Sequence, residues 1–165
     1  MKQNKLIHIG RNTLVDFKDE ASGVPAKIDT GADSTSVWAS NIRIDKQGKL
    51  CFTLFDKQSE FYTGKEIVRP HYRVAKVKSS NGHEQVRYRA ELVIRLKGKT
   101  IRTLSTLADR SNNAYPVLIG RRTLQGRFIV DVSRIEHIEP VRERKLGLND
   151  ELKENPHEFH KKYHG

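Results

Sequence analysis

Before residue 140, no stretch of this chain repeats its apolar residues at the roughly 3.6-residue period of an amphipathic helix. What recurs is short runs of alternating, β-branched or aromatic residues. They are Val24 to Ile28, Leu50 to Phe55, Tyr72 to Val77, Val86 to Leu96, Thr100 to Leu107 and Phe128 to Val132. Turn residues cut them apart at Gln47-Gly48, Asn81-Gly82, Lys97-Gly98 and Ser111-Asn112-Asn113. Asn and Gly accept the positive φ of a tight turn, so Ser80-Asn81-Gly82 predicts one hairpin and Lys97-Gly98-Lys99 the next. A chain punctuated this way folds as a mostly β structure. One short helix is expected after Gly120, from Arg121 to Leu124.

The length of 165 residues suits one core, with 36% hydrophobic and 31% charged residues, as in a soluble globular domain. The longest apolar runs, such as Val117-Leu118-Ile119 and Phe128-Ile129-Val130, are far too short to span a membrane. The start of the chain is basic and has no apolar segment of signal-peptide length. The single cysteine, Cys51, excludes an intrachain disulfide and gives no zinc cluster; it reads as a buried small hydrophobe, and Trp38 as core. The expected location is the cytoplasm. Composition shifts after Pro140, giving a domain over residues 1–139 and a charged C-terminal arm over 140–165. Asn149-Asp150-Glu151 could start a short helix in the arm. A weak internal echo links Ile9-Gly10-Arg11-Asn12-Thr13-Leu14 with Ile119-Gly120-Arg121-Arg122-Thr123-Leu124; chance or convergent turn chemistry is favoured over a repeat.

The chemistry concentrates where the first predicted strand ends. Val24 to Ile28 runs into Asp29-Thr30-Gly31-Ala32-Asp33 and then Ser34-Thr35-Ser36. An apolar strand, an Asp on a sharp turn and small residues behind it present a carboxylate at the edge of a core. Gly31 is expected to let backbone approach backbone there. This is how an aspartic protease displays its catalytic carboxylate. That reaction needs two carboxylates, and a chain of this length supplies one lobe, so the active site is expected in a homodimer.

Two later pieces join this loop in order: the Ser79-Ser80-Asn81-Gly82 hairpin, then Pro116-Val117-Leu118-Ile119-Gly120-Arg121. In this set the chain resembles the retropepsin family of aspartic proteases. It is more similar still to a bacterial branch once labelled "ATP-dependent zinc protease" and linked to RimK-type glutamate ligases. The shared segments are the Lys-Xaa-Asp-Thr-Gly-Ala core, the Ser-Ser-Asn-Gly hairpin and Leu124-Gln125-Gly126-Arg127-Phe128-Ile129-Val130-Asp131. The resemblance covers about residues 7–135. It implies a closed retropepsin-like β-barrel with one short helix after Gly120. It also implies Asp29 as the catalytic residue, in a dyad with Asp29 of a second copy. Thr30, Gly31, Ala32 and Asp33 would form the active-site loop, and Thr30 would hydrogen-bond across to the second copy. Residues 79–82 would form a flap, and Gly120 and Arg121 would support the loop through an Asp33–Arg121 ion pair. Two like charges that close cannot both ionise, so the dyad would hold one shared proton.

The zinc and nucleotide chemistry of the old label find no motif. There is no His-Glu-Xaa-Xaa-His and no phosphate-binding Gly-rich loop, so no cofactor is expected. His157, His160 and His164 have helix-compatible spacing, but a solvated tail outweighs a metal site. The net charge of +11 favours acidic partners. The expected substrate is a polypeptide, with acidic polypeptides as a preferred class. A basic β-barrel that binds acidic polypeptide or nucleic acid without cutting is the alternative, nucleic acid being the less favoured partner.

Overall fold

A computed structural model describes residues 5–78, 82, 84–136, 138–140 and 152–164. Eleven strands, two short helices and a helical turn at 152–154 form the described chain. Strands β1 (Ile7–Ile9), β2 (Asn12–Phe17), β3 (Ala21–Ile28), β4 (Ser36–Ile44), β5 (Leu50–Leu54) and β6 (Glu66–Arg69) come first. Strands β7 (Tyr72–Lys78), β8 (Glu84–Leu96), β9 (Lys99–Ala108) and β10 (Val117–Ile119) follow, then α1 (Arg121–Leu124), β11 (Phe128–Val130) and α2 (Pro156–His164).

The ladder β10-β3-β2-β8-β9-β4 closes on itself, because β10 also pairs with β4. The result is a closed six-stranded barrel. Closure removes the open edges of the barrel strands. Alternation decides what fills it. Val24, Ala26 and Ile28 of β3, Ala90, Leu92 and Ile94 of β8, and Val117 and Ile119 of β10 are all buried. Phe52 and Phe55 are fully buried beside it, Phe55 meeting Phe17 and Trp38 edge to face. Cys51 and Trp38 are buried, as their apolar settings predict.

Strand β8 is long because it serves two partners. Its second half pairs with β9 in the barrel, and its first half pairs with β7 in a hairpin beyond it. Lys97 and Gly98 both take positive φ, which closes the β8–β9 turn predicted at Lys97-Gly98-Lys99. Helix α1 spans the residues expected of it. Strand ends differ by a few residues: β5 stops at Leu54 because Phe55 turns left-handed at φ 61°, and β11 stops at Val130. Of the expected arm helix start, Asn149 to Glu151 lie outside the described residues; residues 152–154, directly after it, form a helical turn, and α2 begins at Pro156. Among the described residues no helix is long and apolar enough to cross a membrane.

Candidate active site

Asp29 directly follows β3. Its N–H donates to Ile119 O at 3.0 Å, so the loop starts tied to β10. Its Oδ1 accepts hydrogen bonds from the N–H groups of Gly31 at 3.0 Å and Ala32 at 3.2 Å. The carboxylate is thereby aimed by its own backbone. A Cβ on Gly31 would stand 3.2 Å from that oxygen. Gly31 thus makes room for the carboxylate, rather than for another backbone as the sequence suggested.

The backbone-to-backbone approach is at Gly120. A Cβ there would stand 2.4 Å from Ser34 C and 2.5 Å from Ser34 O. The close fit lets the loop cap α1. Arg121 N–H donates to Ala32 O at 2.8 Å and Arg122 N–H to Asp33 O at 3.2 Å. Gly120 offers no side-chain cap, so loop carbonyls satisfy the helix's first free donors.

Behind the loop lies a chain of buried hydroxyls. Thr123 Oγ1 is 2.7 Å from Thr35 Oγ1 and 2.8 Å from Thr103 Oγ1, and Gly120 N–H donates to Thr35 Oγ1 at 3.2 Å. These contacts lock α1 onto β9 and the loop. In front, Asp33 stands 3.6 Å from Arg121 and, more closely, 3.0 Å from Arg122 Nε. Arg121 also reaches the carbonyls of Thr30 and Gly31, at 3.5 and 3.4 Å. The pair expected between Asp33 and Arg121 is a three-member cluster in which Arg122 is the nearer partner.

One cation that the loop does not carry stands near Asp29, and a second stands near that one. Arg110, in the turn before β10, donates from Nε to Tyr115 O at 3.1 Å. Burial holds its guanidinium below the usual arginine value; Arg87 of β8 pushes the same way, and the Asp29 carboxylate opposes both. Arg87 lies within the strand predicted over Val86 to Leu96, and nothing local in the sequence marks Arg110.

The hairpin expected around residues 79–82 joins β7 to β8, and Gly82 has φ 83°. Ser79, Ser80 and Asn81 lie outside the described residues. His157, His160 and His164 fall on α2. Among the described residues, no three His, Cys, Asp or Glu side chains gather as a metal site requires.

A family model described as "Retropepsin-like aspartic endopeptidase RimB" matches residues 8–140. The chain belongs to this RimB-like, retropepsin-like family. Two curated relatives, each named "Probable alpha-L-glutamate ligase", come from Shewanella pealeana and Shewanella halifaxensis. Each is 34% identical over 139 residues, covering 81% of this chain and 30% of the relative. This RimB-like chain therefore spans about a third of the length of those curated relatives. A crystal structure of a Legionella pneumophila protein of unknown function (DUF785) is 28% identical with a TM-score of 0.61. It covers 81% of this chain and 98% of that one.

Proposed function

We propose that this chain is an aspartic endopeptidase that acts as a homodimer and prefers acidic polypeptides. The observation that carries the reading is the Asp29 loop: a half-exposed carboxylate aimed by two main-chain N–H groups and braced by β10 and α1. Such a carboxylate is rigid and displayed, as a group that must activate water needs to be.

One chain gives half of the chemistry. A concavity of about 620 Å³ runs between Asp16–Asp19 and Val93–Arg95 and is lined without Asp29. Beside the loop, Thr30, Asp33, Arg121, Arg122, Phe128 and Val130 line an open hollow of about 540 Å³. A second copy seated on this face brings a second Asp29 opposite the first. The pair then holds one proton between two oxygens. The ionised carboxylate takes a proton from a bound water, and the protonated one polarises the scissile carbonyl. Hydroxyls of the two Thr30 residues bind across the axis and keep the two carboxylates in line.

The acidic preference rests on Arg110 near Asp29, on Arg87 near Arg110 and on the +11 charge. The relatives' name, a ligase of glutamate, points to the same kind of polypeptide. The same cations support a second reading, a barrel that binds acidic chains without cutting. Asp29→Asn decides between the two. The expected result is loss of peptide cleavage with dimerisation intact by sedimentation. Undiminished cleavage by Asp29→Asn would sink the dyad, and binding with no turnover by the native chain would favour the second reading.

A further inference from the structure

Cross-strand register places six residues in one row over six strands. Lys27 of β3 lies opposite Leu118 of β10, and Leu118 opposite Ser36 of β4. Ser36 lies opposite Thr106 of β9, Thr106 opposite Arg89 of β8, and Arg89 opposite Arg73 of β7. Directly paired residues share a face of a sheet, so the six point to one side. It is the face away from the core, because their chain neighbours Ile28, Ile119, Val37, Leu107 and Ala90 are buried. Asp29 follows Lys27 by two residues, just past the end of β3, and Arg87 joins the face two residues before Arg89.

Two polar atoms in the row are out of place. Ser36 Oγ and Arg89 Nε are buried, and among the described residues neither has a hydrogen-bond partner. Thr106, which separates them, is 7% exposed, so this part of the row is recessed, not a solvated strand face. A buried charged donor without an acceptor is costly, and native proteins keep few of them without a reason. Ser36 and Arg89 stand two strand spacings apart, about 10 Å between Cα atoms. A long arginine side chain and a short serine can converge across that gap on one acceptor above Thr106.

We infer that Arg89 and Ser36 form a subsite for a side-chain carboxylate of the bound polypeptide, at the end of the row away from Asp29. Arg89 Nε–H and Ser36 Oγ–H donate to the carboxylate oxygens. Arg87 and Arg110 supply the surrounding positive field, and Leu118 carries the peptide's apolar stem toward Asp29. The inference rests on the acidic preference proposed above and assigns it to residues. An apolar residue at position 36 or 89 would give a pocket for apolar side chains; this pair gives one that an uncharged amide fills less well.

The test is binding, not cleavage, so that it survives if the dyad fails. In an Asp29→Asn background, fluorescence anisotropy at low salt compares a glutamate-rich peptide with its glutamine counterpart. The glutamate peptide is expected to bind more tightly. Arg89→Met should remove about tenfold of its affinity, the worth of one charged hydrogen bond, and bring the two peptides level. Ser36→Ala should cost about threefold. Arg102→Met removes an equal charge from an exposed residue of the same sheet face, beyond the row, and should change the ratio little. An unchanged ratio in Arg89→Met, or an equal loss in Arg102→Met, overturns the subsite. If Arg89→Met does not fold, Arg89→Lys and Ser36→Ala decide, a retained ratio in both overturning it. Equal binding of both peptides before any substitution at 36 or 89 overturns both the subsite and the acidic preference, and leaves the dyad to its own cleavage test.

Discussion

Gly120 lies against the carbonyl group of Ser34 so closely that a Cβ would sit 2.4 Å from the carbonyl carbon. The obstacle is backbone, which cannot swing aside as a side chain can. Gly120→Ala therefore forces α1 away from the Asp29 loop. It should cost about 1–3 kcal/mol or more of stability, measured by urea unfolding. It should also weaken the Arg121 to Ala32 and Arg122 to Asp33 hydrogen bonds that the contact permits. Native stability in Gly120→Ala would show that the approach is not needed.

The Thr35–Thr123–Thr103 chain predicts a different kind of loss. Thr123→Val keeps shape but removes the middle hydroxyl, leaving buried Thr103 Oγ1 without that partner and Thr35 Oγ1 with the Gly120 N–H. The expected cost is about 1–3 kcal/mol by chemical denaturation. Replacing Thr103 by valine as well should recover part of it, since its unpaired hydroxyl then vanishes, while Thr35 stays to accept from the Gly120 N–H. A double variant weaker than the sum of its single variants would refute this account.

The Asp33 cluster looks more important than it should prove for stability. Its side chains are about half exposed, with Arg121 and Arg122 more open than Asp33. Exposed pairs contribute about 0–1 kcal/mol. Arg122→Ala should shift the melting temperature slightly, and less at high salt. Arg121→Ala should reach further into function, because Arg121 also touches the carbonyls of Thr30 and Gly31. Equal effects of the two substitutions on peptide cleavage would contradict this division.

Strands with clean alternation were legible in the sequence, and so was the turn chemistry between them. Strands β1, β2, β4 and β6 were not. β1 has three residues and gains its order from parallel pairing with β11; β4 mixes Ser, Asn and Arg into its run. The echo between residues 9–14 and 119–124 shows why local sequence was insufficient. Both copies use Gly to pack against a carbonyl oxygen: an added Cβ would stand 2.6 Å from Arg134 O at Gly10 and 2.5 Å from Ser34 O at Gly120. Yet Asn12 onward forms β2, paired with β3, while Arg121 onward forms α1, capped by Ala32 and Asp33. The partner segment chooses the conformation, which favours convergent packing over a true repeat. At the site, Asp29 was legible because its motif is contiguous. Arg110 and the Ser36–Arg89 row were not, because register between distant strands brings them there.

Acid should loosen the turn that Gly10 packs against. Asp131 Oδ1 accepts from Ser133 Oγ at 2.6 Å and Ser133 N–H at 3.0 Å, and these bonds, the hydroxyl first, hold its carboxyl below the ordinary value of 3.8. A carboxyl lowered on folding adds stability that is complete above its unfolded value and is lost as pH falls through its folded value. The turn should therefore stay intact down to about pH 4 and fray below it. Ser133→Ala removes the larger cause, so Asp131 should titrate closer to 3.8 and the loss should be complete at a higher pH. Because Arg134 O accepts from Arg11 N–H at 3.3 Å, the same change should speed amide exchange at Arg11. Carboxyl-carbon NMR titration of both proteins checks it: an Asp131 midpoint that does not rise in Ser133→Ala shows that the serine does not set the carboxyl's affinity for its proton.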